Sequence, residues 1–202
     1  DPMSGFFMFK RSVLENASLN PTGYKILLEV LVKGRYSSLS EVPYLFEPRK
    51  RGKSKLGSKE IINYLKHLLA LSGYRPVKFA LVGVSGVLVN EGLLHLLVLS
   101  SIPVFMASPI AIEFSILSNF TLNDLWTFRD RRVGKILTGC LRYHLAVILG
   151  AVVNYLILLL LVALGVHYLV ANLAGIFTGF VANYACSEVF VWYKPYTGGG
   201  KL

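Results

Sequence analysis

Residues 46–78 read FEPRKRGKSKLGSKEIINYLKHLLALSGYRPVK, and the character of the chain changes across them. Arg49, Lys50, Arg51, Lys53 and Lys55 fall within seven positions. Behind them Ile61, Ile62, Leu65, Leu68 and Leu69 recur at helical spacing, among Lys59, Glu60, Asn63 and Lys66. That pattern predicts an amphipathic helix lying in a membrane interface with its charged face toward water. It fades at Ser72-Gly73, where a short helix can end.

Downstream the chain is almost unbroken hydrocarbon. Four apolar spans can be drawn, at about 79–99, 104–122, 143–165 and 168–192. Each reaches the ~20 residues that cross ~30 Å of hydrocarbon. The 54% hydrophobic content fits a membrane protein better than a soluble domain. Fourteen of the 21 basic residues precede position 79, five lie at 129–142 and two near the end. Connections 100–104 and 165–168 hold no Lys or Arg, whereas Arg129, Arg131, Arg132, Lys135 and Arg142 crowd the middle one. The positive-inside rule predicts a multi-pass protein with both termini and the middle loop cytoplasmic. Because the cations border apolar runs, a net charge of +10 reads as topology and lipid contact, with no nucleic acid as partner.

The membrane half repeats itself. A shift of 64 positions places Gly86 on Gly150, Asn90 on Asn154, Val98 on Val162, Ala107 on Ala171, Ile112 on Ile176 and Asn119 on Asn183. Two crossings per unit give both copies one orientation, related by an axis along the membrane normal.

Upstream, residues 1–55 read as an α/β fragment. Pro21-Thr22 opens a helix running to Lys33, with Ile26, Leu27, Val30 and Leu31 inward and Gly34 as its stop. Alternation over 39–47, with Val42, Tyr44 and Phe46 on one face, predicts a strand, placed at an edge by Pro43. A piece this small cannot close its own core and calls for partner structure.

Glu91 and Glu113 lie inside the spans. At 1.5 Å per residue, Glu91 sits ~18 Å from the inner end of span one and Glu113 ~14 Å from the outer end of span two. Intramembrane acids point either to proton or substrate handling or to hydrogen-bonded helix packing. Cys140 and Cys186 offer no metal spacing, the four histidines show no i, i+4 pair, and residues 197–202 form a glycine-rich tail.

Asp1-Pro2-Met3-Ser4-Gly5-Phe6-Phe7 with Arg11, Gly23–Glu29, Glu41-Val42-Pro43 and Phe46-x-x-Arg49-x-x-Gly52-x-Ser54-Lys55 resemble the C-terminal part of a family 2 glycosyltransferase. The match is closest to the polyprenyl-phosphate enzymes of the dolichyl-phosphate mannose synthase type. The four spans, with SNFTLNDLWTF at 118–128, resemble the GtrA-like membrane domain fused to such enzymes.

The resemblance implies three parts. Residues 1–55 would be the end of a GT-A fold, 56–76 amphipathic interface helices, and 77–196 an all-α four-helix membrane domain. It implies transfer of mannose from GDP-mannose to dolichyl or polyprenyl phosphate, with inversion. Asp1 and Ser4 would stand near the reacting centre. Arg49, Arg51, Ser54 and Lys55 would bind donor or acceptor phosphate, and Arg11 either positions acceptor phosphate or caps its helix. A divalent metal, Mg2+ or Mn2+, would be held mainly by an N-terminal nucleotide-binding half that this sequence lacks, with no metal ligand in residues 1–202. That half, separate or cleaved, is the expected partner. Translocation or presentation of the lipid-linked sugar, or plain anchoring, are the alternatives for the spans.

Overall fold

The computed structural model describes residues 5–15, 17–20, 26–43, 45, 57–132 and 134–193. It divides into two units, one before Arg75 and one from Arg75 to Lys194.

In the first unit a 3-10 turn at Arg11–Leu14 precedes helix α1, Ile26–Lys33. The helix stops where the sequence predicts. Gly34 donates its N–H to the Val30 carbonyl at 2.8 Å, and Arg35 N–H reaches Val13 O at 2.9 Å. A Cβ on Gly34 would sit 2.7 Å from Val13 Cγ1, so only glycine lets the two segments approach this closely. Helix α2, Ser58–Leu71, leaves Ile61, Ile62 and Leu65 about half exposed along one stripe, as an amphipathic segment does without its second phase. The strand expected over 39–47 is not formed at 39–43 or 45, and no strand occurs among the described residues. A strand exists only where a neighbour completes its ladder, and the described residues supply none.

The second unit is all-helical: α3 (Arg75–Leu99), α4 (Val104–Leu122), α5 (Ile136–Ala163) and α6 (Tyr168–Cys186). A one-residue-wider π turn follows α4 at Asn123–Thr127 and α6 at Ser187–Val191. All four helices are long and apolar enough to cross a bilayer. α3 starts four residues, and α5 seven residues, before the apolar runs drawn from the sequence. Helical backbone needs no apolar side chains, so polar first turns such as Arg75–Lys78 continue the rod into the interface, where long cations snorkel.

The 64-residue repeat reappears in its turns. Ile102 N–H returns to Leu97 O at 3.1 Å, and Val166 N–H to Leu161 O at 3.0 Å. Both turns use left-handed backbone, at Ser101 (φ 63°) and Gly165 (φ 82°). Both π turns close the same way, Phe128 N–H on Asn123 O and Trp192 N–H on Ser187 O.

Within each hairpin the paired Gly and Asn residues are the crossing. Asn119 of α4 fills the notch at Gly86 of α3, and Ser115 Oγ donates to the Gly86 carbonyl at 2.8 Å. On the other side a Cβ at Gly150 would lie 2.9 Å from both Asn183 Cβ and the Gly179 carbonyl. Asn154 packs against Gly175 and Gly179. Lipid gives helices little hydrophobic reason to associate, so small residues that let backbones touch hold the pairs together.

The two hairpins join at one end through aromatic rings. Phe128 and Trp192, repeat mates, stack on each other with centroids 4.4 Å apart and planes 8° apart. Around them the contacts come in mates as well. Phe79 meets Tyr184 at 5.5 Å, and Tyr143 meets Phe120 at 5.9 Å. The local two-fold axis therefore passes through the Phe128–Trp192 stack. Phe128 is wholly buried and Trp192 is 3% exposed.

Candidate functional site

The hairpin ends that carry the aromatic cluster also carry the basic residues. α3 and α5 begin there, and α4 and α6 finish there. Three of the cations are neutralised. Arg75 binds Asp130 at 2.7 Å and Glu188 at 3.1 Å, and Arg131 binds Glu188 at 2.8 Å. Arg132 Nε donates to Asp124 at 2.6 Å, and Trp192 Nε1–H donates to the other Asp124 oxygen at 3.0 Å. Tyr184 O–H donates to Glu188. Asp124 and Glu188 are repeat mates, and each binds across to the opposite hairpin or the loop between them. Sequence reasoning counted these arginines as topology alone and missed their acids. The signal was available: an acid stands at the same place in both repeats.

Burial pushes the Asp130 carboxyl up, but the Arg75 hydrogen bond and charge, its own backbone N–H and Arg131 outweigh it and hold it below the usual carboxylate range. A depressed native value adds stability above the unfolded-state value of about 3.9 and loses it as pH falls through the native one. Thermal unfolding in detergent should therefore show the midpoint falling as pH drops from about 5 to about 3. Asp130→Asn is expected to flatten that limb. An identical acid limb in the variant would remove Asp130 from the account.

Of the two intramembrane acids, Glu91 accepts a hydrogen bond from Asn90 Nδ2 at 3.3 Å on an exposed face of α3. Glu113 pairs with His144 of α5, Oε1 to Nε2 at 3.1 Å. Among the described residues no bond joins the two acids. His144 Nδ1 lies 2.8 Å from the Cys140 carbonyl, so it carries a proton and Nε2 faces Glu113. The pair gives an acid inside the apolar span an imidazole as its hydrogen-bond partner, the kind of pairing polar groups in hydrocarbon make. The Glu113 side chain is 52% exposed, so the pair faces outward while tying α4 to α5. Its repeat positions are Phe177 and Ala80, so only one seam has it. Sequence reasoning found Glu113 and missed His144, because no periodic signal links residues on different helices.

Arg11 opens the 3-10 turn, is exposed, and no side-chain bond caps that turn. Asp1, Ser4, Arg49, Arg51, Ser54 and Lys55 lie outside the described residues. Glu29, part of the Gly23–Glu29 stretch, is 1% exposed; it accepts Lys33 Nζ at 2.5 Å and the Asn20 N–H at 2.7 Å. Among the described residues no group of three His, Cys, Asp or Glu side chains could hold a metal ion, so they offer a divalent cation no fitting site.

A four-crossing bundle of two equivalent hairpins, basic and aromatic at one end, defines an integral membrane domain. The chain belongs to the family described as GtrA/DPMS, transmembrane domain, which matches residues 78–192. It is 48% identical over 197 residues to the dolichol-phosphate mannosyltransferase of Pyrococcus furiosus, covering 95% of this chain and 56% of that one. It is 43% identical over 79 residues to the Saccharomyces cerevisiae protein of the same name, covering 35% of this chain and 30% of that one. The Mycosarcoma maydis dolichol-phosphate mannosyltransferase matches at 39% over 90 residues, 41% of this chain and 31% of that one. The chain thus spans from 30% to 56% of the length of these relatives.

Proposed function

We propose that residues 1–55 end a GT-A catalytic domain and that the whole chain serves the transfer of mannose from GDP-mannose to a dolichyl or polyprenyl phosphate. One observation carries this: the 48% match covers nearly all of the chain, its front segment included, and not the membrane domain alone. In this reading the N-terminal nucleotide-binding half comes from outside these residues and holds the Mg2+ or Mn2+. When bound, that metal supplies charge neutralisation on the departing diphosphate.

The chemistry asks little of a base. A lipid phosphate is already anionic near neutral pH, and its oxygen attacks the anomeric carbon as the bond from that carbon to the GDP diphosphate breaks, inverting the centre. What remains is the cost of two anions side by side. Arg49 and Arg51, with Ser54 and Lys55, would meet it by donating to phosphate oxygens, a task suited to guanidinium forks. By the family resemblance Asp1 and Ser4 would stand near the reacting centre, and Arg11 would position the acceptor phosphate or cap its helix. Helix α2 would lie in the cytoplasmic interface, its exposed Ile61–Leu65 stripe in lipid, so the acceptor phosphate need not leave the bilayer. The basic loop and both termini are then cytoplasmic.

The test is mannosyl transfer to dolichyl phosphate by proteoliposomes holding this chain together with its N-terminal half. Transfer that needs both parts supports the proposal. Equal transfer by the N-terminal half alone would reduce the chain to an anchor.

A second reading, movement or presentation of the lipid-linked sugar across the bilayer, is favoured by the outward-facing Glu113–His144 pair. Glu113→Gln, with Glu91→Gln beside it, is expected to leave synthesis intact. On this reading the Glu113 variant slows crossing of the product, read by lectin access in proteoliposomes. Should crossing persist and the midpoint fall instead, the pair is a brace between hairpins, contributing roughly 1 kcal/mol.

A further inference from the structure

The basic end treats its cations unequally. Arg75, Arg131 and Arg132 spend their charge on Asp130, Glu188 and Asp124. Lys78 and Arg142 have no carboxylate partner among the described residues and stand over aromatic rings instead. Lys78 Nζ is 6.0 Å from the centre of the Trp126 ring, and Arg142 Cζ is 5.3 Å from that of Phe190. Lys78 and Arg142 are repeat mates, and so are Trp126 and Phe190. The two arrangements are one design used twice, kept although both of its side chains differ between the copies.

The design has a structural cause. Each π turn carries an acid two residues before its ring, and that acid turns inward: Asp124 to Trp192 and Arg132, Glu188 to Tyr184 and Arg75. The ring points the other way, Trp126 being 47% and Phe190 46% exposed. The cation above it is thereby kept clear of the carboxylate that would neutralise it. Both rings sit in the last turn of a span, and Lys78 stands one turn into α3, ~4.5 Å along its axis. Interfacial depth, an apolar ring and an uncompensated cation are what a phospholipid meets at the boundary of its phosphate and acyl chains.

We propose that Lys78–Trp126 and Arg142–Phe190 are two equivalent seats for the phosphate of an anionic phospholipid, one on each hairpin, with the acyl chains along the ring. The cation takes the phosphate oxygens while the ring fixes its position, so less is lost in ordering a flexible side chain. The seats do not depend on which reaction the chain serves. A merely cationic surface would make no distinction between these two residues and Arg129 or Lys135, which are exposed at the same end and sit over no ring among the described residues.

The experiment is native mass spectrometry of the 202-residue chain in detergent, titrated with phosphatidylglycerol or phosphatidylcholine. Two phosphatidylglycerols should be retained in preference to phosphatidylcholine. Lys78→Gln and Arg142→Gln should each lose one, with binding at that seat weakened about fivefold per charge removed, and the double variant should lose both. Lys78→Arg should keep its lipid, which separates a lost seat from a misfolded hairpin. Arg129→Gln with Lys135→Gln removes the same charge and should keep both lipids. Equal retention of the two lipid classes, or equal loss in the Arg129/Lys135 variant, overturns the proposal. So does displacement by inorganic phosphate at millimolar concentration, which would make these free-anion sites.

Discussion

Trp192→Ala is expected to lower the unfolding midpoint of the membrane domain sharply, at a cost of about 3–5 kcal/mol. Trp192 is 3% exposed and lies face to face with Phe128 at 4.4 Å. It also touches Phe120 at 5.8 Å and Tyr143 at 5.7 Å. Truncation leaves a void at the place where the hairpins join, and the three packed rings around it cannot collapse into it. It also strips Asp124 of the indole N–H, leaving that oxygen unpaired beside Arg132. Phe128→Ala, wholly buried in the same stack, should cost a similar amount. Trp192→Phe keeps a stacked six-membered ring but loses the hydrogen bond and part of the ring volume, so it should cost less than alanine, about 1–3 kcal/mol. Thermal unfolding in detergent reads all three. A Trp192→Ala protein that melts with the parent would mean the hairpins are held together elsewhere.

Arg49→Ala and Arg51→Ala should each lower mannosyl transfer by roughly 10²–10³-fold, the usual consequence of removing one donor aimed at charge that develops in the transition state. Both positions lie outside the described residues, so the expectation rests on the resemblance of the basic loop to family 2 glycosyltransferases and on the proposed reaction. Lysine at either position keeps the charge and loses the fork, and should recover only part of the loss. Membrane insertion should be unaffected in all of these variants, since the cations that set orientation are spread over the rest of the chain. The assay is transfer from GDP-mannose with the N-terminal half present, beside a measure of insertion. Full turnover in both Ala variants would remove Arg49 and Arg51 from the transfer site.

Hydropathy alone marked all four crossings, and a shift of 64 found the repeat, because both are properties of order along a line. The third apolar span begins at about 143, and α5 begins seven residues earlier because its helical backbone runs on through polar first turns. The strand expected over 39–47 is absent from the described residues 39–43 and 45 for a different reason. Alternation shows that a segment could be half-buried in a sheet, and a sheet needs a second strand.

The interactions that make the candidate site join residues far apart in sequence. Asp124 and Trp192 are 68 positions apart, and Arg75 and Glu188 are 113. Glu113 meets His144 across 31 positions, a pair the repeat does not duplicate. Composition and period marked four spans able to cross a membrane, as two copies of one hairpin, because the cost of polar backbone in hydrocarbon leaves few other solutions. Which cations are cancelled and which stay free, and which acid finds an imidazole, was settled only when the hairpins packed. Ion pairs and ring stacks act over a few ångströms in space, and no one-dimensional pattern carries that distance.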